Sequence, residues 1–165
     1  MTRRSVLRTL LASSARGVAG ADTAVADTSD FAPRIFARIN ELRRASGVEP
    51  LAWSDALGRC AREQSARKEQ LRFPGHDDPD RGTVAQRVQA AGIAWQRCGE
   101  NLFSERGWDD PVNFAVVFWW YSAGHRANLL NPDFTESGVG VVKGADETYY
   151  ITQIFVLPAP FRPRR

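Results

Sequence analysis

The sequence has no hydrophobic run long enough to cross a membrane, and it lacks the best-known hydrolase motifs. The longest uncharged stretch in the body of the chain, residues 111–125, is shorter than the roughly 20 apolar residues that a spanning helix needs. Neither an HExxH helix nor a G-x-S-x-G turn occurs, so no signature of a zinc peptidase or a serine hydrolase is present. Only two histidines and two cysteines occur among the 165 residues. Most of the functional information therefore rests on a small set of side chains.

An excess of one charge sign is also missing from most of the chain. The net charge of +3 and the pI near 9.2 come from 22 basic and 19 acidic residues. Residues 1–26 carry four arginines and one aspartate, which is 4 − 1 = +3 and accounts for the whole excess. The remaining residues are neutral and show no basic stripe with interleaved aromatic residues. We therefore do not expect nucleic acid as a partner.

The first 26 residues have the features of an export signal. Residues 2–8 resemble the twin-arginine consensus, in which Arg3 and Arg4 are followed by an apolar pair. A weakly apolar stretch follows, and an A-x-A cleavage pattern ends at Ala26. We predict that residues 1–26 are a signal peptide, which makes the mature protein secreted. A disordered N-terminal extension is the alternative.

Length and composition indicate one globular domain, since 43% hydrophobic and 25% charged residues exclude a disordered or fibrous protein. Periodicity and turn residues predict helices, a strand, another helix and a β-hairpin, so we expect an antiparallel sheet layered with helices. The helix predicted over residues 112–121 is apolar almost all round, which is typical of a helix in the middle of a protein. We assign its aromatic residues to the core, with a lipid pocket as the alternative. Because the helix is apolar all round, some of them must face a second layer or a cleft. We expect Trp108, in a polar loop, to be exposed.

The two cysteines, Cys60 and Cys98, have two interpretations. In an exported protein an even number of cysteines permits one disulfide. Two small buried hydrophobic side chains are the alternative. Their separation along the chain does not decide between the two, and we carry the disulfide as a prediction.

The histidines lie on either side of a single acidic residue in a hydrophobic segment. His76 lies in a polar loop after the second predicted helix, and His125 follows the apolar helix. Glu100 stands inside an otherwise hydrophobic strand, where a carboxylate is costly to bury unless it is paired. Imidazole is its natural partner, either as a charge pair or through a jointly held metal ion or water. Spacing alone also allows two solvated loop histidines.

Seven short blocks of the sequence follow one another in the order found in one known family. The blocks are Asn40-Glu41-Leu42-Arg43, Pro50-Leu51-Ala52-Trp53, Phe73-x-x-His76, Gly99-Glu100-Asn101-Leu102, Trp119-x-x-Ser122-x-Gly124-His125-Arg126-x-Asn128-Leu129-Leu130, Glu136-Ser137-Gly138-Val139-Gly140 and Thr152-Gln153-x-Phe155. Over residues 33–156 the chain resembles the bacterial form of the CAP superfamily (cysteine-rich secretory protein, antigen 5 and pathogenesis-related 1; the SCP domain). The resemblance implies secretion and an α+β fold, a three-layer α-β-α sandwich with a central antiparallel sheet. We place the CAP domain at residues 27–157 and a basic tail at 158–165.

The resemblance also implies a cleft with two histidines and two acidic residues. By motif, His76 and His125 take the histidine positions and Glu100 takes the first acidic position. The position of the second acidic residue is occupied by Ser122, so the set is incomplete here. Glu136, just before the Gly-Val-Gly strand, is a candidate substitute. No residue is assigned a catalytic role with certainty.

Two classes of function compete for this cleft. The first is a secreted binding or interaction module that holds a metal ion, a lipid or a peptide, and we expect it to be a monomer. Two neutral imidazoles and one carboxylate, His76, His125 and Glu100, match a divalent metal such as zinc with an open coordination position. Eukaryotic relatives that bind sterols and fatty acids make a lipid a ligand class by resemblance. The second class is a metal-dependent extracellular hydrolase that acts on a peptide or cell-envelope substrate. The missing second acidic residue favours binding, and whether the protein is an enzyme stays open.

Overall fold

The computed structural model describes residues 28–160, which contain five helices and four strands. These are α1 (Phe31–Ala45), β1 (Ala52–Trp53), α2 (Asp55–Leu71), α3 (Val84–Ala90), β2 (Trp95–Arg106), α4 (Pro111–Tyr121), α5 (Ala123–Leu129), β3 (Glu136–Lys143) and β4 (Thr148–Pro158). The predicted signal peptide over residues 1–26 lies outside the described residues, as does the end of the predicted tail, residues 161–165.

The four strands form one sheet in the order β1-β3-β4-β2. Strands β3 and β4 form the predicted hairpin, and β2 pairs antiparallel with the other side of β4. The two-residue strand β1 pairs parallel to β3, a detail that the prediction of an antiparallel sheet did not include. Strand β2 is an edge strand, and it places Glu100 opposite Ile154 and Glu105 opposite Tyr149.

Helices cover both faces of the sheet and create two apolar clusters. Helices α1, α4 and α5 pack on one face, whereas α2 and α3 pack on the other. Side chains along β4 alternate between the clusters, with Ile151 and Phe155 in the first and Ile154 and Val156 in the second. This arrangement confirms the α-β-α sandwich.

The Gly-Val-Gly sequence of β3 allows α2 to lie directly on the sheet. A β-carbon at Gly138 would lie 2.1 Å from the backbone nitrogen of Gly58, and one at Gly140 would lie 2.0 Å from that of Arg62. Any larger residue at either position would force the helix away from the strand. This close approach brings Ser65 of α2 within hydrogen-bond distance of the Gly140 carbonyl, at 3.0 Å.

The predicted apolar helix, α4, is buried on one side only. Trp119 is fully buried against the sheet, and its indole nitrogen donates to the Leu102 carbonyl at 2.9 Å. Large side chains on the outer side are exposed: Phe114, Val117, Phe118 and Tyr121. The assignment of the aromatic residues to the core is therefore wrong for this side, because the neighbouring elements cover only part of the helix. Trp108 is exposed, as predicted.

Candidate functional site

Glu100 lies in a buried ion network with one arginine and one histidine. Its side chain, on β2, is 1% exposed. Oε2 accepts a hydrogen bond from Arg87 Nη2 at 2.5 Å, and Oε1 is 3.0 Å from His76 Nδ1. The Arg87 side chain, on α3, has no exposed surface. Both carboxylate oxygens of Glu100 are thus engaged by the protein itself.

The loop that carries His76 is fixed by hydrogen bonds to its backbone. Arg87 Nη1 and Gln64 Nε2 each donate to the His76 carbonyl oxygen at 3.1 Å. Two residues further on, the buried Asp78 carboxylate accepts two hydrogen bonds from Arg67, at 2.9 and 3.1 Å. These bonds hold the pKa of Asp78 well below its usual range, so the ion pair persists at any ordinary pH. Helices α2 and α3 together position the imidazole of His76, whose side chain remains 49% exposed.

His125 lies in the first turn of α5, where the sequence predicted a loop. The chain leaves helical geometry at Ser122, with ψ of 120°, and a new helix begins when the Arg126 amide donates to the Ser122 carbonyl at 2.8 Å. Asn101 Nδ2 donates to the His125 carbonyl at 3.1 Å, and Asn128 Nδ2 donates to Asn101 Oδ1 at 2.9 Å. The two asparagines therefore tie α5 to β2 and fix the position of His125.

The ring of His125 is held in an apolar setting. Its centroid lies 5.5 Å from that of Phe118, and its Nδ1 is buried with no hydrogen-bond partner among the described residues. Burial, followed by the nearby positive charge of His76, lowers the pKa of His125 below its ordinary value. The imidazole is consequently neutral at physiological pH, and its Nδ1 has no partner within residues 28–160.

Both histidines line one cavity of about 310 Å³, which we call the histidine cleft. Four apolar residues form part of its wall: Leu102, Phe103, Phe118 and Ile151. Lys68 also lines it, and its ammonium group donates to the carbonyls of Phe73 and Gly75, each at 2.7 Å. Burial lowers the pKa of Lys68. The cleft thus combines an apolar wall with two imidazoles and one cationic side chain.

The structure brings three of the five predicted site residues together and leaves the other two apart. Glu100 contacts His76, and His125 shares the cleft with His76. Ser122 lines a different groove on the outer side of α4. Glu136 begins β3, which β4 separates from β2. Neither Ser122 nor Glu136 is among the residues that line the cleft.

The residues predicted as metal ligands do not fit a metal ion in the observed arrangement. Within residues 28–160, no group of three or more His, Cys, Asp or Glu side chains is arranged to hold one. The physical reason lies at Glu100, whose oxygens are taken by His76 and by the guanidinium of Arg87. A fixed positive charge at that carboxylate opposes a second cation there. We therefore assign no zinc ion to this set.

Cys60 and Cys98 are both free thiols, so the predicted disulfide is absent from the structure. Cys60 belongs to the apolar cluster beneath α2, and Cys98 packs against the same cluster. Burial raises the pKa of each thiol, which keeps both protonated. In the structure Cys60 and Cys98 therefore act as two small hydrophobic side chains, which was the alternative interpretation.

The sequence predictions included neither Lys68, which lines the cleft, nor Arg87, which pairs with Glu100. Arg87 lies three residues after Val84 and one before Val88, on the side of α3 that packs against the core. An arginine at an inward-facing helix position, together with an acidic residue in a hydrophobic strand, could have predicted this ion pair. Because the chain contains many arginines, Arg87 does not stand out in the sequence.

Comparison with known proteins identifies the family. The model of the cysteine-rich secretory protein family (CAP) matches residues 36–155. The chain belongs to the CAP superfamily.

Protein YkwD of Bacillus subtilis (strain 168) is 30% identical over 121 residues, which are 73% of this chain and 46% of that protein. The membrane protein YlbC of the same strain is 32% identical over 117 residues, which are 71% of this chain and 32% of that protein. The chain therefore spans less than half the length of these curated relatives.

Two solved structures show the same fold. An extracellular protein containing an SCP domain, from Bacillus anthracis str. Ames, has a TM-score of 0.68 at 31% identity and covers 78% of this chain and 40% of that one. An outer surface protein of Borrelia burgdorferi has a TM-score of 0.73 at 23% identity. The match covers 81% of this chain and 96% of that protein. These similar proteins are extracellular or lie on the outer surface. In residues 28–160, no helix is long and apolar enough to span a bilayer.

Proposed function

We propose that the chain is a secreted binding module whose histidine cleft takes an amphiphilic ligand with an apolar body and an acidic head group, such as a fatty acid. The observation that carries this proposal is the composition of the cleft, in which apolar side chains surround imidazoles and Lys68. A volume of about 310 Å³ lies within the range of small-molecule sites, which are mostly apolar with a few polar groups. The ammonium group of Lys68 would attract a carboxylate head group, and His125 has an unpartnered nitrogen.

The state of Glu100 argues against hydrolysis, the other function class. A water-activating base needs a carboxylate that can accept a proton from water. Both oxygens of Glu100 are held by Arg87 and His76, and the side chain is almost completely buried. Glu100 therefore acts as a structural anchor for His76, and the binding function is the one that the cleft supports.

Binding of dansyl-undecanoic acid, followed by fluorescence, tests this proposal. Leu102→Trp places a bulky ring in the wall of the cleft and is expected to abolish saturable binding. Leu71→Trp, at an exposed position at the end of α2, is the matched control and is expected to bind like the wild type. Equal binding by both variants, or binding that never saturates in the wild type, would refute a ligand site in the cleft. Native mass spectrometry of secreted protein would identify a retained lipid or metal.

We also propose that residues 1–26 direct export, in agreement with the extracellular location of similar proteins. The twin-arginine route depends on both arginines of its motif. Secretion of an Arg3→Lys, Arg4→Lys variant is therefore expected to fall sharply, as measured by the protein recovered from medium and cells. Unchanged secretion would contradict the twin-arginine route but would leave the cleft proposal untouched.

A further inference from the structure

A second surface, which we call the aromatic groove, lies between the outer side of α4 and the end of β2. It encloses about 480 Å³ and is lined by Phe103, Glu105, Trp108, Phe114, Phe118 and Tyr121, among others. Trp108 is 53% exposed and Tyr121 is 83% exposed. Aromatic side chains on this scale are enriched where proteins bind other proteins, because they supply large contact areas at low entropic cost.

Glu105 is a carboxylate in this mostly apolar groove and has no partner within residues 28–160. The residue is only partly exposed, and neither carboxylate oxygen has an exposed surface or a hydrogen-bond partner within the described chain. Burial raises the pKa of Glu105, as expected for a carboxylate that has lost water without gaining a donor. A buried polar group in this state is destabilising, and a donor brought by a ligand would remove the penalty.

The backbone of β2 beside the groove is open on its outer edge. The carbonyls of Glu100 and Leu102 accept hydrogen bonds from Asn128 and Trp119, which lie outside the sheet, so these carbonyls face away from β4. Because backbone groups alternate along a strand, the peptide groups of Ser104 also point outward. Within residues 28–160, no hydrogen bond from outside the sheet reaches the strand beyond Leu102. An edge of this kind can pair with an added strand.

We infer that the aromatic groove and the outer edge of β2 bind an extended segment of a partner protein, in which an arginine or lysine pairs with Glu105 and aromatic residues two positions away enter the same groove. Side chains of an added strand alternate in direction, so every second one would enter the groove. Charge complementarity selects this occupant. A cationic side chain satisfies Glu105, whereas the carboxylate of a fatty acid would meet a like charge. The groove shares Phe103 and Phe118 with the histidine cleft but is a separate site.

Fluorescence anisotropy with the full chain and a defined peptide tests this inference. The probe is fluorescein-Gly-Phe-Thr-Arg-Thr-Phe-Gly amide, and its control has citrulline, a neutral isostere, in place of arginine. We expect saturable binding of the arginine peptide, weakened about tenfold or more by citrulline or by Glu105→Gln. Asp109→Asn, which removes an exposed acidic group nearby, is the matched control and should change affinity little. Equal affinities of the two peptides, or of wild type and Glu105→Gln, would overturn the inference.

Further measurements distinguish a partner peptide from two other occupants of the groove, a lipid and a second copy of the chain. Tyr121→Ala removes a largely exposed ring, so it should fold normally, and it is expected to weaken the arginine peptide without affecting dansyl-undecanoic acid. A peptide with N-methylated backbone amides should lose affinity if the edge of β2 pairs with it. Competition between the fatty acid and the peptide at Glu105, or a Glu105-dependent dimer in sedimentation, would assign the groove to a lipid or to a second copy and reject a partner peptide.

Discussion

Glu100 and Glu105 are acidic residues five positions apart on β2, but they differ in the face of the sheet that they occupy and in their hydrogen-bond partners. Because side chains alternate along a strand, the two carboxylates face opposite sides of the sheet. Glu100 faces α3, and both of its oxygens are bonded, one to Arg87 and one to His76. Glu105 faces the outer side of α4, and neither of its oxygens has a partner within the described chain.

The difference separates a structural carboxylate from one that is available to a ligand. A buried charge whose oxygens are paired fixes its neighbours, and here Glu100 holds His76, which lines the histidine cleft. A buried charge without pairing reduces stability, and a ligand that supplied the missing partner would remove that cost. The ligands that we propose for the two sites therefore carry opposite charge, an anionic head group at Lys68 and a cationic side chain at Glu105.

The largest effect is expected when the paired carboxylate loses its arginine. Arg87→Met would leave Glu100 buried beside His76 alone and should lower the free energy of unfolding by about 3–5 kcal/mol. Urea denaturation measures this loss, and adding Glu100→Gln should restore part of it. Arg81→Met, which breaks an exposed pair with Glu63, is the control and should cost below about 1 kcal/mol. A loss in Arg87→Met no larger than in this control would show that the buried network contributes little.

A smaller change in the free energy of unfolding is expected at Glu105, where replacing the unpaired carboxylate should raise stability relative to wild type as the pH increases. The pKa of Glu105 is raised in the folded protein above its ordinary value of 4.5, so folding is favoured by the protonated form. Its contribution is fully present below pH 4.5 and is lost as the pH rises through the raised pKa. Glu105→Gln lacks this titration, so its stability relative to wild type should increase with pH over that window. Denaturation at several pH values measures the difference, and a difference that is flat or falls with pH would contradict a buried, unpaired Glu105.

The smallest effect concerns the histidine cleft and should leave stability almost unchanged at neutral pH. Burial, and then the charge of His76, lower the pKa of His125 below 6.5. The stabilising contribution of neutral His125 is thus present above pH 6.5 and is lost as the pH falls through the lowered pKa. NMR titration should show His125 protonating below 6.5, and His76→Gln should raise that pKa only partway, since burial remains. Titration of His125 at or above 6.5 would show that its ring is solvated.

Local patterns in the sequence predicted an antiparallel sheet layered with helices, and the family resemblance supplied the α-β-α sandwich and pointed to both histidines that line the cleft. Hydrophobic periodicity located α2 and the β3–β4 hairpin, and short motifs identified His76, Glu100 and His125. The parallel pairing of β1 and the exposed side of α4 depend on which elements come to lie beside them, which periodicity does not report. The same limit applies to the surroundings of Glu100 and Glu105, since the packing of α3 brings Arg87 to Glu100 on one face of the sheet, whereas α4 lies beside Glu105 on the other.

The free energies of unfolding of Glu100→Gln and Glu105→Gln, measured side by side at neutral pH, test whether β2 carries one paired and one unpaired carboxylate. Both substitutions replace a carboxylate with an amide of the same shape on the same strand, so they differ only in what surrounds the side chain. We expect a clear loss of stability for Glu100→Gln, which breaks the charge pairing with Arg87 and His76, and no loss for Glu105→Gln. Equal losses in the two variants would contradict the distinction between a paired and an unpaired carboxylate on β2.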